Sequence, residues 1–158
     1  MAKGGSVNYK DLIKFRDTVE KSLGANQVDE FIESCAKELA ARLLAKVIKR
    51  TPTRKPEDCP PGVKGGTLKR GWTGGKSSNA TAYANSLKVN RQGGAYVIEI
   101  INPVEYASYV EFGHRTRGGN GWVEGKFMLT ISEQEVQASA STVLENKLKK
   151  KLSECFKW

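Results

Sequence analysis

The sequence predicts an α+β fold, with long N-terminal and C-terminal helices packed on a small antiparallel sheet and a long Pro/Gly-rich basic loop between them. Three observations carry this. Apolar residues recur at helical spacing over residues 28–48 and again over 128–155. A β-branched run, Ala95 to Ile101, follows the turn-forming Gly93-Gly94. Prolines and glycines crowd residues 51–80. A length of 158 residues fits one domain over 1–158.

Residues 1–7 read as a flexible tail. A first helix is predicted from Tyr9 to Leu23, with Asn8 as N-cap and Leu12, Phe15, Val19 and Leu23 on one face. Gly24 ends it. Asn26 then reads as the N-cap of a second helix, with Asp29 three residues on as in a capping box. Its stripe is Val28, Ile32, Cys35, Leu39, Leu43, Val47 and Ile48, and Thr51-Pro52 ends it, since a residue before proline avoids the α region. Residues 51–80 hold Pro52, Pro56, Pro60 and Pro61 with Gly62, Gly65, Gly66, Gly71, Gly74 and Gly75. So long a structureless stretch is usually functional. It reads as an extended loop that orders against a partner.

Residues 81–158 supply a hairpin, a motif segment and the C-terminal helix. The hairpin pairs Ser86–Asn90 with Ala95–Ile101 across a turn at 91–94. Asn102-Pro103 reads as an N-cap with proline at the first helical position, opening a short helix from Val104 to Phe112 that stops at Gly113. Residues 114–125 read as a second basic, Gly-rich loop. The last helix is predicted over Phe127–Cys155, with a stripe of Met128, Ile131, Val136, Ala140, Val143, Leu144, Leu148, Leu152 and Cys155. Its late lysines, among them Lys149, Lys150 and Lys151, suit the negative end of a helix dipole. Both long helices exceed what so small a core covers, so part of each stripe is expected to pack against another copy of the chain.

Composition narrows the function. Net charge is +9, and residues 59–98 contribute +6 through Lys64, Lys69, Arg70, Lys76, Lys88 and Arg91 without one acid. Such a patch suits an acidic protein surface or nucleic acid. No apolar run reaches the ~20 residues that cross a bilayer, and no apolar block follows the first residues as in a signal peptide. Cys35, Cys59 and Cys155 are odd in number and far apart, which argues against a disulfide framework or zinc ribbon and for a reduced, cytosolically made chain.

Catalytic, cofactor and metal sites are not expected. Gly74-Gly75-Lys76-Ser77 resembles the end of a phosphate-binding loop, but Arg70 stands where the pattern needs glycine and no apolar strand precedes it. His114 is the sole histidine, with no nucleophile or second ligand beside it. Glu105 and Glu111, six apart, point away from each other on a helix. Asn79-Ala80-Thr81 matches a glycosylation sequon but lacks a secretion signal. Arg70-Gly71-Trp72 and the segment Arg115 to Trp122 interleave aromatic and basic residues, which keeps a basic nucleic-acid-binding module as the alternative function.

The segment Tyr106-Ala107-Ser108-Tyr109-Val110-Glu111-Phe112-Gly113 resembles the tailed-phage neck, tail-completion or head–tail joining proteins. The order of parts agrees: a helix ending at Thr51-Pro52, then Gly66-Thr67-Leu68-Lys69-Arg70, an apolar strand over 96–101, the motif, and Phe127-Met128-Leu129 opening a helix. The insertion Thr53–Gly65, His114 in place of a small polar residue, and a missing proline near Phe127 depart from the pattern. The resemblance, over roughly residues 28–150, implies a non-enzymatic ring, most simply a hexamer, that joins a head connector to a tail or completes the tail tube. Such a protein would be assembled in the bacterial cytoplasm and sit in the virion at the neck or tail end. Its partners would be copies of itself and adjoining connector, neck, tail-tube or terminator proteins, with incidental DNA contact in the lumen and no membrane contact. The expected assembly interface is Tyr106, Tyr109, Glu111, Phe112, Gly113, His114, Arg115, Arg117 and Trp122, with Glu111 pairing Arg115 or Arg117. Val110 and Phe112 have an alternative place in the core. The expected docking residues of the 51–80 loop are Lys64, Leu68, Lys69, Arg70, Trp72 and Lys76.

Overall fold

The computed structural model describes residues 24–75 and 79–155, together with 13, 16 and 17. The tail over 1–7 and nearly all of the predicted helix over 9–23 lie outside the described residues. The remainder is mixed helix and strand, as the sequence predicts. Helix α1 (Ala25–Arg50) is followed by a 3-10 turn (Pro56–Asp58), α2 (Thr67–Gly71) and α3 (Ala80–Ser86). Strands β1 (Asn90–Gln92) and β2 (Ala95–Val97) form one antiparallel hairpin. Helix α4 (Ala107–Phe112), the hairpin β3 (Gly113–Arg115) with β4 (Trp122–Glu124), and α5 (Met128–Cys155) complete the order.

Helix α1 has no internal glycine or proline and is rich in Ala, Leu, Lys and Glu, all good helix formers. At 1.5 Å per residue it is about 39 Å long. Its stripe is buried within the chain from Val28 to Val47, with Phe31, Ala36, Ala40 and Leu44 beside it. No part of that stripe is left over for another copy, because α3, α5 and β2 cover it. Gly24, at φ 82°, precedes the helix, so Asn26 lies in the first turn instead of capping it. The Asp29 carboxylate works across the fold: it accepts a 2.8 Å hydrogen bond from the Tyr96 hydroxyl and pairs with Arg91.

The C-terminus of α1 ends at Thr51, as the following proline dictates. The buried Thr51 hydroxyl donates to the Val47 carbonyl (2.6 Å) and accepts from Trp72 Nε1 (2.8 Å). Trp72 and Leu68 are therefore core residues, and the 51–80 segment is not one extended loop. Its second half folds back as α2. Gly71 at the end of α2 is obligatory, because a Cβ there would overlap Asn102 Oδ1 and Val104 Cγ2.

Three further expectations change. Residues 80–86 form a helix, so the first hairpin strand begins at Asn90 and not at Ser86. The Asn79 side chain caps that helix, accepting from the amides of Thr81 and Ala82, and Ala84 buries against the core. Asn102 is not an N-cap: fully buried, it donates to the Leu68 carbonyl (2.8 Å) and accepts from the Val104 amide (3.2 Å). It thereby ties α2 to the segment leading into α4, which starts at Ala107 instead of Val104. Residues 113–124 form a hairpin where a loop was expected.

Helix α5 runs antiparallel to α1, held at both ends by charge. Lys46 and Arg50 pair with Glu135 at 2.8 and 2.6 Å, and Lys147 pairs with Glu38 at 2.8 Å. These hydrogen bonds hold both the Glu135 and Glu38 carboxyls below their ordinary range, with Lys46 the largest cause at the first and Lys147 at the second. The inward row of α5 is Met128, Leu129, Ser132, Val136 and Ala140. Ile131, expected in that row, is exposed, and the buried Ser132 stands inside, its hydroxyl 2.5 Å from the Met128 carbonyl and 3.0 Å from Arg50 Nη1.

Candidate functional site

The motif helix α4 has two faces. Ala107 and Glu111 point inward and Val110 is half-buried, whereas Tyr106, Tyr109 and Phe112 face out, the last two 58% and 59% exposed. Gly113, at φ 86°, ends the helix and starts β3, a left-handed cap of the kind glycine supplies. Strand β4 then returns with Arg115 opposite Trp122 and Gly113 opposite Glu124. Trp122 and Val123 are exposed on this hairpin.

The return to α5 is tight. Lys126 donates to the Val110 carbonyl (2.7 Å) and Phe127 to the Glu111 carbonyl (3.0 Å). Gly125 lies so close to the end of α4 that a Cβ would overlap the Glu111 and Phe112 backbone. Phe127 takes φ 47°, a left-handed conformation that costs a bulky residue roughly 1–2 kcal/mol. Its ring then meets Phe112 edge-on, centroids 6.5 Å apart, and both rings stay exposed. Among the described residues, every exposed large apolar side chain except Val63 lies between Tyr106 and Ile131.

Glu111 is the buried partner of this surface and not part of it. It is 4% exposed. Its Oε2 accepts from the Leu129 amide (2.9 Å), and its Oε1 accepts from the Thr130 amide (2.9 Å) and hydroxyl (2.7 Å). The first-turn amides of a helix lack intrahelical acceptors, and the positive end of the dipole favours an anion. Glu111 thus caps α5 from outside the helix instead of pairing Arg115 or Arg117. Burial, and next the Glu111 charge, push the Glu133 carboxyl above its ordinary range. Glu133 Oε1 and His114 Nδ1 are buried without hydrogen-bond partners. The His114 ring lies 5.7 Å from that of Tyr109.

The structure therefore brings Tyr106, Tyr109, Phe112, Gly113, His114, Arg115, Arg117 and Trp122 to one end of the molecule, with Arg115 and Arg117 exposed. It adds Val123, Phe127 and Ile131, which the sequence places in a loop, at the opening of the last helix and on the core face of α5, respectively. Of the loop residues, Lys64 and Arg70 are exposed and Lys69 half-exposed. Arg70 Nη1 donates to the Gly65 carbonyl at 3.0 Å. Leu68 and Trp72 are withdrawn into the core, and Lys76 lies outside the described residues. No group of three or more metal-ligating side chains occurs among the described residues, and none of their helices is long and apolar enough to cross a membrane.

The organisation is that of a small α+β protein that spends its motif carboxylate on joining two helices and turns the motif's aromatic rings outward. The sequence pattern of the family described as "Bacteriophage HK97-gp10, putative tail-component" matches residues 13–113. The match spans more than half of the chain and includes α1 to α4, so the chain belongs to that family of phage tail components. Comparison with curated proteins and with solved structures gave no match.

Proposed function

We propose that the chain is a ring-forming structural protein of a tailed phage, prophage or phage-tail-like particle, joining the head connector to the tail or completing the tail tube. Its work is non-enzymatic, and its place is the neck or tail end of the virion. The observation that carries this is the run of exposed rings on the motif, Tyr109 and Phe112 one helical turn apart with Phe127 edge-on to Phe112, and Trp122 exposed on the hairpin beside them, backed by family membership. Contiguous exposed apolar side chains of this size mark interaction sites, and aromatic residues dominate interface energetics.

The Pro-rich loop over 53–65 supports the docking half of the reading. Residues 53–58 and 60–64 are all exposed, and the loop closes at its base, where Arg54 and Gly65 are in contact. Its removal takes no fully buried residue, only the half-buried Cys59 and Gly65, and costs the exposed Arg70 its hydrogen bond to the Gly65 carbonyl. Replacing Thr53–Gly65 with a short glycine linker should leave circular dichroism and melting unchanged while giving heads and tails that fail to join in an infection assay. Normal particles from that deletion would remove the docking role. Light scattering on the intact protein, alone and with purified connector or tail tubes, should show a hexamer, or a ring that forms on the partner. A monomer that ignores both, yet shifts DNA at low salt, would favour the nucleic-acid-binding reading.

A further inference from the structure

The exposed side of α5 carries no charge for three turns. Its exposed positions from 131 to 142 are Ile131, Gln134, Gln137, Ala138, Ser141 and Thr142. The exposed face of α1 is built differently, with Glu30, Glu33, Arg42 and Lys49. A solvated helix face is normally charged, and an uncharged one is unusual in a chain with 27% charged residues. The short α3 also shows uncharged Thr81, Ala82, Asn85 and Ser86, but it spans two turns and offers no large apolar group.

The α5 face does not stop at Ile131. Residues 131, 134, 138 and 141 fall within one narrow stripe of a 3.6-residue helix, and the carbonyl of Phe127, just before the helix, accepts from the Ile131 amide at 3.0 Å. Phe127 carries that stripe directly into the aromatic cluster through its contact with Phe112. The acids beside the stripe, Glu133 and Glu135, are half-buried, and Glu135 is neutralised by Lys46 and Arg50.

We infer that this face, from Tyr109 and Phe112 through Phe127 along α5 to Thr142, is where a second copy of the chain packs. Two arguments select a copy over another protein. Each chain carries +9, so copies repel wherever charged faces meet; Arg115, Arg117 and Lys126 are exposed beside the aromatic end, while the uncharged strip of α5 lets copies approach without that repulsion. A partner recruited by the basic charge would instead sit on charged residues. The area suits a modest contact repeated around an assembly. Fifteen residues of helix give about 22 Å of length and about 10 Å of width, and each half-exposed aromatic side chain adds on the order of 100 Å². Together these come to roughly 600 Å² per partner, below the roughly 800 Å² of a standard interface. Ala138 and Ser141, small and exposed on the α5 part of the face, admit a close-packed neighbour.

The inference rests on the ring reading but is tested apart from it. Ala138→Glu and Ser141→Glu each place a carboxylate within the face, on an exposed position where glutamate keeps helix propensity. Gln27→Glu adds the same charge on the exposed side of α1. All three should fold like the parent by circular dichroism. Sedimentation of the full chain should show self-association weakened at least about 100-fold by A138E and S141E, and unchanged by Q27E. Assembly unaffected by A138E and S141E overturns the inference, whatever the ring does. A parent protein that stops at a dimer, broken by A138E, keeps the interface and removes the ring. A parent that stays monomeric at all concentrations, alone and with tail tubes or connector, overturns both.

Discussion

Replacing Glu111 with alanine should loosen the junction between α4 and α5. The Glu111 carboxylate is buried and holds two backbone amides and one hydroxyl, all at 2.7–2.9 Å. Truncation leaves the Leu129 and Thr130 amides without that acceptor at the start of a 28-residue helix. An unsatisfied buried donor costs about 1–3 kcal/mol. Loss of an anion from a partly buried helix N-terminus adds up to about 2 kcal/mol. Water entering the vacated space recovers some of this, so the expected net loss is about 3 kcal/mol. For a chain of this size that lowers Tm by roughly 6–12 °C. Glu111→Gln should lose less, about 1–3 kcal/mol. Its amide oxygen serves Thr130 as Oε1 does now, while its NH₂ faces the Leu129 amide, donor against donor. The assay is urea unfolding followed by helical circular dichroism at two protein concentrations, so that association is separated from folding. Glu105→Gln, on an exposed carboxylate, is the control. An alanine variant within about 0.5 kcal/mol of the parent, the ordinary scatter of surface changes, would refute the capping argument. Glu111 would then be free for the intermolecular role first expected of it.

Other outcomes follow from the same geometry. Gly71→Ala should destabilise by at least about 2 kcal/mol, since the new methyl overlaps Asn102 and Val104 in a packed core; an unchanged urea midpoint would mean that Asn102 moves freely. Burial pushes the Cys35 thiol up to about 11, against an ordinary 9.0. Peptide-level mass spectrometry after iodoacetamide at pH 8 should show the half-exposed Cys59 alkylated and Cys35 untouched until urea is added, and equal rates would contradict its burial. The Glu38 carboxyl is held below its ordinary 4.5, first by Lys147. Its contribution is present above that value and is lost as pH falls through the folded-state value. The Tm gap between the parent and Lys147→Met should therefore shrink below pH 4.5, and a gap constant to pH 3 would exclude the linkage.

Where the sequence reading worked, the governing physics was local. The core row of α1 from Val28 to Val47, its stop at Thr51-Pro52 and the start of the last helix depend on neighbours within about two turns; the expected turn over 91–94 narrows to Gly93-Gly94, since Arg91 and Gln92 pair in β1. Asn79 was such a signal too, and the missed α3 was legible: an asparagine cap followed by alternating alanines. The exposed rings of Tyr106, Tyr109 and Trp122 were singled out because the family motif contains the first two and basic residues surround the third.

The remainder depended on contacts that spacing does not encode. Ser132 sits inside, where its hydroxyl meets Arg50 and the Met128 carbonyl, and Ile131 outside, although hydrophobicity alone predicts the reverse. Leu68 and Trp72 read as loop residues because glycines surround them, yet a hydroxyl 21 residues away receives the Trp72 indole. Glu111 is the clearest case. Its sequence neighbours Arg115 and Arg117 suggested an ion pair, whereas the four unpaired amides that open any helix offered a better-placed site for its charge, 18 residues along. The sequence by itself determined the two long helices, the stop of the first, the start of the last and the aromatic content of the motif, because those follow from short-range periodicity and backbone preference. Tertiary structure alone decided which polar groups are satisfied inside and which rings are left outside, because that choice is made by burial, and burial is settled by segments far apart in the chain.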